Sequence, residues 1–202
     1  MSESKLIVRF LSAVILMLWV PFTAATMTKP EQTIDGLYKS FFQLVENGRI
    51  KASTPESDVF LLMEQELGPV VDFSRIAQKV MGKYSRQASA DQLDRFTLVF
   101  KKTLVSTYSK GLEKIDLLDK VEVRAGMLDG SGDRAQVPTA ILLKDGSVYN
   151  VVYSMFENGS GWNIDNIVVE GVNLGLVFRN QFAHYMQQYG NRIDDVIVHW
   201  GE

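Results

Sequence analysis

The chain contains no cysteine, and that one absence removes disulfides, thiolate zinc sites, iron–sulfur clusters and cysteine nucleophiles together. It has two histidines, His184 and His199, too few for a three-histidine metal centre. Its 21 lysines and arginines, set against 24 acids, nowhere gather along the chain as they must to neutralise a run of phosphates, which argues against nucleic acid as a partner. A Gly-rich phosphate loop, a Gly-x-Ser-x-Gly elbow, a His-Glu-x-x-His pair and a dinucleotide fingerprint are all missing. What remains is ordinary in composition: 202 residues, 46% hydrophobic and 22% charged. That is a globular chain, long enough for one domain or two small ones.

The N-terminus reads differently from the rest. Lys5 and Arg9 form a short cationic head, residues 10–20 are a largely apolar run, and Pro21 precedes Thr23-Ala24-Ala25. This is the pattern of a secretory signal peptide, with cleavage expected after Ala25, so residues 1–25 are assigned as signal peptide and 26–202 as a single domain. The run is short for a membrane span, which needs about 20 apolar residues; the alternative is an uncleaved anchor. Acylation as an exported lipoprotein needs a cysteine at the new N-terminus, and there is none. The expected protein is exported, soluble after cleavage, and held by its core alone.

Along the remaining chain, Thr28-Lys29-Pro30-Glu31 reads as a capping box with proline at the first helical position, followed by Ile34, Leu37, Tyr38, Phe41 and Val45 at spacings of three and four. Thr54-Pro55-Glu56 opens a second helix that Gly68-Pro69 ends, and Asp72 caps a short third one closed by Gly82. Ser89-Ala90-Asp91-Gln92 is another capping box, with Leu93, Phe96, Phe100, Leu104, Tyr108 and Leu112 on one stripe. From Leu117 the period changes from 3.6 to 2. Four strands follow, around Val121, over 135–143, from Tyr149 and from Trp162, joined by the turns Asp129-Gly130, Asp145-Gly146 and Asn158-Gly159. Short turns make them an antiparallel meander. After Gly171 the helical period returns, and a short helix over 193–200 finishes the chain. The expected class is α+β, an antiparallel four-stranded sheet packed against helices.

Convergent polar groups for catalysis are thin. His184 sits beside Tyr185 on an apolar helix and reads as a partly exposed helix residue rather than a base. Asp165, near Trp162 and Ile164, is the one acid that could face an apolar pocket; its plainer reading is a bulge or solvent-face position. The surplus is apolar. The sheet offers Val137, Ile141, Tyr149, Val151, Tyr153 and Trp162, and the helices expected opposite offer Phe96, Phe100, Tyr108, Leu174, Phe178 and Phe182. Periodicity does not distinguish a packed interior from a lined cavity.

A family resemblance separates the two. The stretch Val71-Asp72-Phe73-Ser74-Arg75-Ile76-Ala77-Gln78-Lys79-Val80-Met81-Gly82-Lys83-Tyr84, then Ala88-Ser89, Phe96, Phe100, Leu104 and Thr107-Tyr108, resembles the signature of the MlaC, or toluene-tolerance, family. Trp162, Val169-Glu170-Gly171-Val172-Asn173-Leu174 and Phe178-Arg179-Asn180-Gln181-Phe182 resemble its second signature. Tyr84 stands where a tryptophan is common and Phe178 where a tyrosine is common; both keep an aromatic ring. The resemblance implies a shape related to the NTF2-like and cystatin-like folds with an internal hydrophobic cavity, and a periplasmic phospholipid carrier without catalysis, cofactor or metal. The twelve apolar residues above would then line the lipid site. Implied partners are phospholipid, an inner-membrane lipid ABC transporter with an MCE-type subunit, and an outer-membrane lipoprotein–porin complex. Two other readings compete: a small-molecule enzyme on a similar cone-shaped fold, with Asp165 as its acid, and a structural adaptor with a solid interior.

Overall fold

The computed structural model describes residues 29–51, 53–109 and 117–201, and leaves the side chains of Tyr108 and Ser109 outside the described set. The expected signal peptide over 1–25 and Leu112 of the long helical stripe also lie outside it. In chain order the elements are α1 (Pro30–Glu46), α2 (Glu56–Leu67), α3 (Phe73–Met81) with a 3-10 turn at Gly82–Arg86, and α4 (Ala90–Ser109). Then come β1 (Leu118–Val123), β2 (Met127–Leu128), β3 (Arg134–Leu143), β4 (Val148–Glu157), β5 (Trp162–Val169), β6 (Val172–Asn173), α5 (Leu174–Gln188) and α6 (Ile193–Val198).

Several helices begin where a side chain can take up amides that the first turn leaves unpaired. The Asp72 carboxylate accepts from the Arg75 N–H at 2.8 Å to start α3. At α4 the box is reciprocal: Ser89 Oγ accepts from the Gln92 N–H at 3.1 Å, and Gln92 Oε1 accepts from the Ser89 N–H at 3.0 Å. The box expected from Thr28 is corrected by one residue. Lys29 is the N-cap of α1, its N–H donating to Gln32 Oε1 at 3.0 Å, with Pro30 first in the helix as expected.

The sheet runs β1-β3-β4-β5-β6, with β2 also paired to β3, and every pairing is antiparallel. The four expected strands are its four long ones; β2 and β6, two residues each, are additions. Strands β1 and β2 occupy successive stretches of one edge of β3. At the break between them, a Cβ on Gly126 would stand 2.9 Å from Pro30 Cγ, and the Gly126 N–H donates to Glu31 Oε2 at 3.2 Å. The missing side chain lets the start of α1 sit against the sheet edge.

Helix was expected directly after Gly171, but Val172 and Asn173 first pair back onto Val169 and Val168. The turn between them has φ of 49° at Glu170 and 79° at Gly171, the two left-handed residues of a tight hairpin. Glu-Gly is not the usual Asn-Gly or Asp-Gly signature of such a turn, which is why β6 was not legible. The free edge at the start of β5 is covered by Val70 and Asp72, bonded on either side of Ile164 at 2.8 and 3.3 Å in a short parallel bridge.

Two main cores result. The first lies among helices and gathers Ala77, Val80, Met81, Tyr84, Phe96, Phe100, Phe182, Met186, Ile193, Val196, Ile197 and Trp200. The second lies between the sheet and α1 and gathers Ile34, Ala135, Val137, Val151, Tyr153, Met155, Trp162 and Ile164. A small third cluster of Leu44, Ile50 and Leu62 joins α1 to α2. Among the described residues no helix is long and apolar enough to cross a membrane, and no group of three or more His, Asp or Glu side chains is placed to hold a metal ion.

Candidate functional site

Side chains alternate across a strand, so the register decides which residues share the face that α1 covers. Across β3 and β4 the pairs are Ala135 with Met155, Val137 with Tyr153, Thr139 with Val151, and Ile141 with Tyr149. The face continues onto Val123 and Val121 of β1, and onto Ile164, Ile167 and Val169 of β5. Apart from Thr139 and the two tyrosines, every one of these is purely apolar.

Burial is uneven along this face, and that unevenness marks the site. Val137 and Met155 are fully buried, beneath a helix that contributes Ile34, Leu37 and Tyr38. Two rungs further along the strands, Ile141 is half-buried and Tyr149 is 46% exposed. Val121, Val123, Ile167 and Val169, on the flanking strands, are half-buried as well. Among the described residues the inner face is therefore an apolar trough, roofed by α1 at one end and open at the other. Leaving such a surface uncovered costs about 25 cal/mol per Å², and an apolar ligand lying in the trough would recover that cost.

The roofed end is closed by a polar contact between two phenols. The hydroxyls of Tyr38 and Tyr153 are 2.6 Å apart, and the rings meet edge to face at 6.4 Å. Burial pushes the Tyr153 hydroxyl well above the usual phenol range, reinforced by Tyr38 beside it. Burial also raises Tyr38, with the hydrogen bond to Tyr153 pulling the other way. Both groups thus hold their protons in the fold at a pH where unfolded tyrosines, near pH 10, have begun to lose theirs. The unfolded state then binds fewer protons, so the stabilisation is complete below about pH 10 and is lost as pH climbs through the raised native values. Thermal melts at pH 8, 10 and 11 should show a steeper alkaline fall for this protein than for a Tyr38→Phe/Tyr153→Phe variant; parallel falls would contradict the assignment. One rung nearer the open end Thr139 is 3% exposed, and its hydroxyl has no hydrogen-bond partner among the described residues.

The twelve residues singled out from sequence do not share one interior. Val137, Val151, Tyr153 and Trp162 lie in the core between sheet and α1, with Ile141 packed at its margin, while Tyr149 stands at the open end. Phe96, Phe100 and Phe182 lie in the helical core, and Phe178 packs against it. The expectation that these helical rings face the sheet is corrected: Phe96 meets Phe182 at 4.9 Å and Trp200 at 5.1 Å, and Phe100 meets Phe178 at 5.3 Å, so they pack on one another. Leu174 is half-buried at the start of α5, and the side chain of Tyr108 is outside the described set. The helix that does roof the trough is α1. Its Leu37 and Tyr38 were visible as an apolar stripe, but a stripe does not say which surface it covers.

Asp165 is at the bulge expected of it, since Ile164 pairs with Met155 and Asn166 with Ser154, leaving Asp165 without a strand partner. It is not solvent-facing, being 3% exposed. Nor does it point into the trough: it accepts from Arg75 Nε at 3.2 Å and from Lys79, with Arg134 3.7 Å away. Arg75 lies 4.0 Å over the ring of Phe156, whose neighbour Met155 belongs to the core under α1, so these cations are on the sheet's outer side. A cleft of about 490 Å³ opens there, between α3, β5 and the start of α5.

Comparison with known proteins agrees with this architecture. A solved phospholipid-binding protein from Ralstonia solanacearum, determined in complex with a phospholipid, superimposes with a TM-score of 0.77 over 84% of this chain and 93% of its own at 20% identity, which establishes the fold. The toluene tolerance protein ttg2D of Pseudomonas putida is 30% identical over 181 residues, 89% of this chain and 83% of its own. The model of the MlaC protein family matches residues 36–202, so this chain belongs to the MlaC protein family.

Proposed function

We propose that this protein is a phospholipid carrier that shelters acyl chains against the inner face of its sheet while they cross water. The observation that carries the reading is the trough itself, an apolar face continuous over four strands that loses its roof toward Ile141 and Tyr149. The phospholipid bound by the Ralstonia solanacearum protein of the same fold supports it.

The physics explains why such a carrier is needed. Two acyl tails hold about 30 methylenes, and at roughly 0.8 kcal/mol each their exposure to water would cost on the order of 24 kcal/mol. Enclosing the tails avoids that cost, whereas the charged headgroup is better left at the open end, because desolvating a phosphate is expensive. Trough and bilayer are both apolar, so exchange between them is close to balanced, and a docking partner is what gives it direction. On this reading the leader over residues 1–25 exports the chain to the periplasm. There it passes lipid between an inner-membrane ABC transporter with an MCE-type subunit and an outer-membrane lipoprotein–porin complex. It needs no catalytic residue, cofactor or metal.

Organic extraction of the purified protein, followed by mass analysis, tests the reading. Phospholipid should co-purify in a fixed ratio to folded chain and survive gel filtration. A chain free of lipid, with an unchanged mass before and after delipidation, would overturn it.

A further inference from the structure

The chain as a whole carries a net charge of −3, yet two stretches contain no acid at all. Residues 73–90 hold Arg75, Lys79, Lys83 and Arg86, and residues 171–193 hold Arg179 and Arg192. The fold lays the helices of these two stretches side by side, with Ala77, Val80 and Met81 of α3 packed in one cluster with Phe182 and Met186 of α5. Arg75, Lys79 and Arg179, dispersed in sequence, thereby meet on one face, whereas Arg192 is paired with Asp195.

The outer cleft lies in that face. Arg75, Lys79 and Arg179 line it, and Asp165 is the one acid among its lining residues. Asp165 is already shared by Arg75 and Lys79, and Arg179 makes no ion pair among the described residues. Arg179 is instead held against the backbone of Gly82, where a Cβ would come 2.9 Å from its Nε; that glycine has φ of 56°. The cleft thus keeps a net positive charge at its mouth.

A second feature identifies what that charge would meet. Leu176, which lines the cleft, is 53% exposed, and Val172, four residues before it, and Val177, next to it, are 51% and 46% exposed. A small soluble anion would use the cations and leave these side chains in water. A bilayer with anionic headgroups satisfies both, its phosphates at the cations and its interfacial zone at the leucine and valines. The rest of the acidic surface is repelled by the same bilayer, so the molecule would approach in one orientation. We propose that the α3/α5 face is the docking surface of this protein for a bilayer exposing anionic phospholipids. The proposal stands whether or not the trough carries lipid.

Co-sedimentation tests it, using the protein expressed from its full-length sequence with whatever N-terminal processing the cell performs. The probes are large vesicles of phosphatidylcholine, with and without one-third phosphatidylglycerol. The protein should pellet with the anionic vesicles and not with the neutral ones, and raising the salt from about 30 to about 300 mM should release it. Arg179→Gln should weaken binding about fivefold, Leu176→Gln should weaken it by a similar factor, and Val198→Gln, exposed on α6, should leave it unchanged. Equal pelleting with both vesicle types, no pelleting at all, or binding indifferent to Arg179→Gln and Leu176→Gln would overturn the proposal. So would retention on immobilised polyglutamate but not on vesicles, which would assign the face to an acidic protein partner. Lipid released into the supernatant is scored separately from protein in the pellet, so failure to dock and failure to carry lipid give different results.

Discussion

Ile141→Glu should reduce co-purifying phospholipid at least tenfold while leaving the circular dichroism spectrum unchanged. Ile141 lies on the inner face opposite Tyr149 and Val121, at the point where the trough loses its roof. It is half-buried, so a carboxylate there can reach water and the sheet need not open. An acyl chain lying along the same surface would have to pass that charge in an apolar setting, which is unfavourable by several kcal/mol. The matched control is Val148→Glu, one residue before Tyr149 and paired with Leu142, hence on the opposite face, and 49% exposed. It should keep its lipid. Equal lipid in the two variants would mean that tails do not lie along this face. Val151, one rung deeper, is 5% exposed and makes a poorer probe, because a charge there would disrupt the core along with the site.

Phe96→Ala should cost about 4 kcal/mol, the usual loss when a fully buried phenylalanine is truncated. Phe96 is 0% exposed and touches three rings, Phe100, Phe182 and Trp200. Such aromatic pairs add to the loss of buried area, and the rigid helices around them leave little scope for collapse. Domains of this size are stable by about 5–15 kcal/mol, so the variant should lose between about a quarter and most of its stability. Urea titration reads the effect as a shifted midpoint at constant slope. Phe96→Leu, which keeps most of the volume, should fold and retain its phospholipid. A loss below about 1 kcal/mol for Phe96→Ala would instead mean that the helical cluster is hollow enough to absorb the change. Lipid lost from Phe96→Leu while the fold is kept would draw the helical rings into the lipid site.

These two expectations differ because the sequence shows elements more clearly than it shows which elements meet. Helix starts were legible at Asp72 and Ser89, where a short polar side chain sits three residues before the amide whose N–H it accepts from. Four strands were legible because their residues alternate and their turns carry glycine. Strand β6 was hidden by a turn built on Glu170 in a left-handed conformation, which no propensity rule anticipates for glutamate. The candidate site was half legible. The pairing of Ile141 with Tyr149 follows from the Asp145-Gly146 turn and the pleat, so that part of the sheet side could be read, whereas the bulge at Asp165 reverses the alternation along β5 and brings Ile167 and Val169 onto this face. The helical side could not be read, because the apolar stripe of α1 and the aromatic stripe of α4 look alike as periodicities. Only the tertiary arrangement sends α1 to the sheet and α4 to the other helices and Trp200. Asp165 shows the same limit from another side. Its bulge could be expected, but the three cations around it come from α3 and β3, between 31 and 90 residues away in sequence.

The most direct test of the central claim is transfer of a fluorescent phospholipid between two vesicle populations held apart by water. Because spontaneous escape must expose both tails, the rate without protein should be negligible over the experiment. With protein the initial rate should rise in proportion to its concentration and fall back to the background for Ile141→Glu. A transfer rate that does not depend on the protein, or that is the same for Ile141→Glu and Val148→Glu, would contradict the account.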